Sequence, residues 1–178
     1  GWDFSSRWFA YKMNIDTIHT TDIVPIDLNC LLLHLEKTLE GIYKLNGDKG
    51  NAEIFRDKYV ERKQTVQRYL WNDYDKMFAD YDFIRECSTG IATAAITFPL
   101  FVRIATKEQA DATTVQLEKD FLKPGGIVTT LVTSGQQWDA PNGWAPLQWI
   151  AYKGLMNYGF NDLAKKIKLN WVSNVERV

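Results

Sequence analysis

The stretch PIDLNCLLLHLEKTLEGIYKLNG, from Pro25 to Gly47, constrains this chain of 178 residues more than any other. Leu28, Leu31, Leu32, Leu35, Leu39 and Ile42 recur at spacings of three and four, which places them on one stripe of an α-helix. Asn46-Gly47 supplies the stop, because both residues tolerate the left-handed backbone at a helix C-terminus. A second helix is predicted from about Ala52 to Leu70, with Phe55, Tyr59, Val66 and Tyr69 on one side and charges on the other.

The rest of the chain keeps to this pattern. Trp71 to Phe83, WNDYDKMFADYDF, alternates aromatic and acidic residues without a helical period and reads as a short hairpin or an irregular loop. Helices are predicted again over Ser88 to Ala105 and Lys107 to Leu122, the second closed by KPGG. The β-branched run IVTTLVTSG, Ile127 to Gly135, reads as one short strand. Pro146 opens another helix, since its missing N–H has no partner in a first turn, and the last begins near Asp162. Five or six helices in consecutive pairs make an all-α chain. Trp-Asp neighbours recur near helix ends at Trp2-Asp3, Trp71-Asn72-Asp73 and Trp138-Asp139. That spacing suits a toroid or solenoid of helical pairs whose loops share one rim.

Composition narrows the function classes. A chain with 46% hydrophobic and 24% charged residues is a folded one, and a net charge of −1 gives no electrostatic reason to expect nucleic acid. No apolar run approaches the roughly 20 residues that span a bilayer. The longest, GIATAAITFPLFV, contains Pro99 and reads as a buried helix. Cys30 and Cys87 read as free thiols, and His19 and His34 lack the clustered spacing of a zinc site. Gly1 falls inside a motif-like stretch and Val178 inside an unfinished helix, so the chain is read as a single domain truncated at both ends. Cytoplasm and periplasm both remain open.

Chemistry concentrates in two aromatic stretches, GWDFSSRW (Gly1–Trp8) and QQWDAPNGWAPLQW (Gln136–Trp149). A sugar presents an apolar C–H face and a rim of hydroxyls; an indole matches the first, carboxylates and amides the second. Gln137, Trp138, Asp139 and Asn142 would suit such a ligand. Equally, Trp138, Trp144 and Trp149 could be packing anchors, Asp139 a helix cap and Asn142-Gly143 an ordinary turn. Trp144 and Trp149 read as packing residues, since Trp149 falls in a helix stripe with Leu155 and Met156. Asp3 could be a general acid or a cap, and Arg7 could hold a substrate hydroxyl or a neighbouring carboxylate.

These two stretches, with IVPIDLN (Ile23–Asn29) and PGGI (Pro124–Ile127), resemble the inverting α,α-trehalase family of glycoside hydrolases along essentially the whole chain. The resemblance implies an (α/α)6 toroid of helical hairpins, here only part of one, with the active site among the loops of one rim. It implies hydrolysis of α,α-trehalose to two glucose molecules without metal or organic cofactor. Asp3 would be the general acid, kept protonated by a dry aromatic surrounding. Gly1 would contribute backbone to sugar binding beside Trp2, Gln137 and Trp138 would line the site, and Asp139 would support the loop. The departure concerns the base: the family's glutamate lies in an EKY-like stretch, and Glu176 does not match it. The 178 residues alone are therefore expected to be inactive. Nucleic acid and membrane are not expected as partners, whereas association through exposed helix faces is. Two other readings stay open, another α/α-toroid α-glucosidase and a non-catalytic sugar-binding or structural fragment.

Overall fold

The computed structural model describes residues 2–176. After a run of single 3₁₀ turns at Ser6–Trp8, Ile15–Thr17 and Thr20–Asp22, the short strand β1 (Ile23–Val24) leads into α1 (Ile26–Leu45). A tight turn connects α1 to α2 (Lys49–Tyr69), whose first turn is capped by Asp48 accepting from Asn51 N–H at 3.0 Å. The two helices form a hairpin tied by Arg62, whose Nε and Nη2 both reach Glu36 while Nη1 donates to Asn29.

The inward face of α1 differs from the expected one. Ile26, Asp27, Cys30, Leu33, Glu36 and Glu40 are buried, while Leu28, Leu31, Leu35 and Ile42 are exposed. Helix α1 carries two usable faces, and α2 covers the one where Glu36 meets Arg62. The leucine stripe is left uncovered among the described residues.

Two β-hairpins of one design follow. In the first, β2 (Trp71–Asn72) pairs with β3 (Met77–Phe78), and Asn72 Oδ1 accepts from the N–H groups of Tyr74 and Asp75. In the second, β4 (Tyr81–Asp82) pairs with β5 (Cys87–Ser88), and Asp82 Oδ1 accepts from Ile84 and Arg85. Each turn closes on a residue at positive φ, Lys76 at 52° and Glu86 at 53°. Strand β1 pairs with β4 to complete a three-stranded antiparallel sheet. The hairpin alternative for Trp71–Phe83 is thus the one realised, with a second hairpin behind it.

The helix expected over Ser88 to Ala105 is mostly absent. Ser88 belongs to β5, Thr93 bridges Thr130, and regular helix is confined to a 3₁₀ turn at Ala94–Thr97 and α3 (Phe98–Phe101). Pro99 sits in the first turn of α3, where it removes no helical hydrogen bond. The burial expected for this run is realised: Ala94, Ala95, Ile96, Phe98 and Leu100 all belong to the core. Helix α4 (Lys107–Gln116) opens with a capping box between Thr106 and Gln109 and continues as a π-helical turn, Leu117–Phe121, that buries Leu117 and Phe121 completely. A full burial of this kind stabilises by about 1.5–3 kcal/mol per side chain.

Instead of the strand expected over Ile127 to Gly135, the run offers β7 (Gly126–Ile127), paired with β6 (Leu122–Lys123), and the single bridge of Thr130 to Thr93. Beyond β7, Thr129 and Thr130 turn their hydroxyls toward the following loop rather than a sheet partner. Helices α5 (Ala145–Asn157) and α6 (Asn161–Val175) form the closing hairpin. Helix α5 packs on α3 at Gly154, where a Cβ would lie 3.0 Å from Leu100 Cβ and 3.1 Å from Phe101 N. Trp149 was expected among the packing residues, yet it is 57% exposed and Met156 41%, whereas Leu155 is fully buried. The α5 stripe thus turns Leu155 inward and leaves Trp149 on the opposite face. No described helix is long and apolar enough to cross a membrane.

Candidate active site

The two aromatic stretches meet. Trp138 N–H donates to the carbonyl of Phe4 at 3.0 Å, and the Trp2 and Trp138 rings lie 5.3 Å apart. Trp138 in turn stacks on Trp144 at 4.6 Å and 13°, and Trp144 Nε1–H donates to the carbonyl of Gln137 at 3.2 Å. The guanidinium of Arg7 lies 4.4 Å from the Trp2 ring and 4.4 Å from the Trp8 ring. A continuous pile results: Trp8, Arg7, Trp2, Trp138, Trp144. Offset indole pairs and a desolvated cation on an aromatic face each contribute roughly 1 kcal/mol beyond burial.

Asp139 joins the stretches by hydrogen bonds. It is fully buried. Its Oδ1 accepts from Ser5 Oγ, Ser6 Oγ and Thr130 Oγ1 at 2.9, 2.9 and 2.8 Å. Its Oδ2 accepts from Ser6 N–H at 2.8 Å and from the Ser134 hydroxyl. Five donors around one carboxylate replace the water it gave up, which is what makes its burial tolerable. Asp139 is not a helix cap, since the residue preceding α5 is Trp144 and no side chain caps it.

Arg7 is wholly buried and answers the carboxylate alternative. Nη1 and Nη2 donate to Asp27 at 2.9 and 2.8 Å; Nε and Nη2 donate to Asp80 at 2.7 and 2.8 Å. Burial favours loss of its proton, but the two carboxylates outweigh that and raise its pKa. Burial likewise works to raise the Asp27 pKa, yet the charge and hydrogen bonds of Arg7 hold it below the ordinary carboxylate range. Removing one member of such a buried set costs about 3–5 kcal/mol, because a charge is left without its partner. Asp27 stands in the first turn of α1, and Asp80 links β3 to β4 while accepting Ile26 N–H at 2.9 Å. Arg7 therefore pins the N-terminal stretch to both the first helix and the hairpins.

The loop is held from below by Gln148, on α5. Its Oε1 accepts Ile127 N–H at 2.8 Å and its Nε2 donates to Ile127 O at 2.7 Å, so one amide satisfies both backbone groups of that residue. Two glycines make room for it. A Cβ on Gly126 would lie 2.6 Å from Gln148 Oε1, and one on Gly143 would lie 2.7 Å from Ile127 O. The PGGI run and the QWD loop are thus two sides of one joint.

Among the residues singled out from sequence, Trp2 is buried, Trp138 half-buried and Asp139 fully buried, while Asp3 and Gln137 are exposed. Gly1 lies outside the described residues. The expected dry surrounding of Asp3 is absent among the described residues: Asp3 is exposed although its neighbour Trp2 is buried within the pile. Trp2 itself has φ of 69°, an unusual conformation for a bulky residue that costs on the order of 1–3 kcal/mol and persists only where neighbours enforce it. Here the Trp8 Nε1–H donates to Trp2 O at 3.1 Å. Sequence reasoning did not find Asp27, Asp80 or Gln148. Asp27 lay within the quoted IVPIDLN run, so a charged residue inside an apolar start was the available signal.

The sequence model of the family described as Trehalase matches residues 1–178. The periplasmic trehalase of Salmonella paratyphi B is 46% identical over 176 residues, 99% of this chain and 31% of its own length. That of Escherichia coli is 45% identical over the same shares. The chain thus spans less than a third of the length of these relatives. Among solved structures, neutral trehalase from Saccharomyces cerevisiae superposes with a TM-score of 0.81 at 23% identity, over 96% of this chain and 33% of its own. The GH63 mannosylglycerate hydrolase from Thermus thermophilus gives 0.76 at 21%, over 87% and 38%. At those identities the likeness concerns the fold, which is mostly helical and of the α/α-toroid type.

Proposed function

The chain belongs to the trehalase family, and from that premise we propose that it is the acid-bearing part of an enzyme that hydrolyses α,α-trehalose to two glucose molecules with inversion. The observation that carries this reading is the meeting of the Trp2-Asp3 turn with the Gln137–Asp139 loop through the Trp2–Trp138 contact and the Trp138-to-Phe4 hydrogen bond. Asp3, exposed on that turn, is the general acid: its proton goes to the bridging oxygen as the C1–O bond breaks. A carboxylate on the opposite side, roughly 6.5–9.5 Å away in an inverting enzyme, takes a proton from the water that attacks C1. Trp2 and Trp138 supply indole beside the sugar, Gln137 supplies an amide for its hydroxyls, Gly1 supplies backbone, and Asp139 holds the loop in place.

Glu176 does not match the family's EKY-like base motif and no base is assigned among these residues, so the segment alone is proposed to lack turnover. The curated relatives carry the name periplasmic trehalase, which supports the periplasm as the compartment. The uncovered leucines of α1 support association of the isolated segment, to be read by sedimentation. The function is tested by Asp3→Asn in the complete polypeptide that carries these residues, with trehalose and maltose as alternative substrates. Near-complete loss of trehalose turnover is expected. Full retention would favour a non-catalytic role, and preference for maltose a different α-glucosidase.

A further inference from the structure

The acid is presented by a turn that does not hold itself. Trp2, immediately before Asp3, is in the left-handed region with its ring buried, and an unsupported bulky residue would leave that conformation. Three things restrain it: Trp138 on one side, the Arg7–Trp8 pair on the other, and Asp27, which also receives a hydrogen bond from the Trp2 side chain. Of these, only Arg7 ties the turn to two elements at once, by four charge-assisted hydrogen bonds to Asp27 on α1 and Asp80 ahead of β4. Its planar fork fits both carboxylates while its two faces meet the two indoles, a combination that the point charge of lysine cannot reproduce.

We infer that Arg7 is a positioning residue for Asp3: its guanidinium, clamped between Trp2 and Trp8, locks the turn from which the acid is presented. It touches no reacting atom. The inference rests on the assignment of Asp3 as general acid. It goes beyond that assignment by stating that the placement of the acid, rather than the fold at large, depends on the Arg7 clamp.

The test compares two substrates in the complete polypeptide. Trehalose needs a proton on its leaving oxygen, whereas α-D-glucosyl fluoride releases fluoride without one. With Arg7→Lys, kcat on trehalose should fall about 100-fold, the scale of an ångström's misplacement, with KM little changed and fluoride release retained. Equal losses on both substrates, or no loss on trehalose, would overturn the proposal. Should Arg7→Lys fail to fold, Asp27→Asn, which weakens one arm of the clamp at its partly accessible end, is read by the same comparison and the same criteria. Asp3→Asn run alongside separates the two ideas. If it keeps trehalose turnover, the acid assignment falls and this proposal with it. If it loses trehalose selectively while the clamp variants do not, the clamp proposal alone falls.

Discussion

Ser6 and Asp139, 133 positions apart in the chain, share two hydrogen bonds: Ser6 N–H to Oδ2 at 2.8 Å and Ser6 Oγ to Oδ1 at 2.9 Å. Both oxygens of the carboxylate are in use, so an amide cannot replace it. Asp139→Asn sets an NH₂ group against donors, and each buried group left unpaired costs about 1–3 kcal/mol. A drop in the thermal midpoint of the complete polypeptide is expected, together with loss of trehalose turnover. An unchanged midpoint would show that the network contributes nothing.

Two glycines should respond with opposite signs. Gly143→Ala drives a methyl toward Ile127 O at 2.7 Å and Gln148 Nε2 at 3.1 Å, and overpacking of this kind destabilises by about 1–3 kcal/mol. Gly41, inside α1, has nothing within 4 Å of the corresponding position. Gly41→Ala should stabilise by about 0.5–1 kcal/mol, because alanine restricts the unfolded chain and favours helix. Chemical denaturation of both variants checks the pair.

Gln148 gives a sharper prediction about chemistry than about size. Gln148→Leu leaves both Ile127 N–H and O without partners, and Gln148→Glu satisfies the N–H while turning a carboxylate toward the carbonyl. Each should cost about 1–3 kcal/mol. The same Gln→Glu change at exposed Gln137 should leave stability within about 0.5 kcal/mol. Equal effects at the two positions would refute the bracing role.

Acid sensitivity follows from Asp27. Its pKa is lower in the folded chain than in the unfolded one, so the folded state binds fewer protons and stability rises with pH across that interval. The contribution is complete above the unfolded-state value of 3.8 and is lost as pH falls through the folded value. Asp27→Asn should therefore lower stability at neutral pH and flatten its decline below about pH 4. Denaturant midpoints measured from pH 7 downward would show the two curves converging in acid; parallel curves would contradict the assignment.

The helices α1, α2, α5 and α6 were legible because a 3.6-residue period shows in sequence whatever surrounds it. Which face a neighbour covers does not show there. Leu28, Leu31 and Leu35 make the most regular stripe of α1, yet α2 packs on the side that carries Glu36, since Arg62 satisfies that carboxylate. Residues 88–93 were misread as helix because the alanines around and beyond them favour one locally. The pairing of Thr93 with Thr130 depends on a partner 37 positions later, which propensity does not weigh. At the site, indoles and a carboxylate in short compass announced themselves. The partners of Arg7 did not: Asp80 looks in sequence like any surface acid until the fold buries it, and Asp27 is marked only by its place in an apolar run.

Because the hydroxyls of Ser5, Ser6, Thr130 and Ser134 converge on a single carboxylate, two remote segments behave as one rigid wall. The disorder that either would have had by itself is given up when the polypeptide folds. Under the function proposed above, a ligand held by this wall would bind with little further entropic penalty on this side.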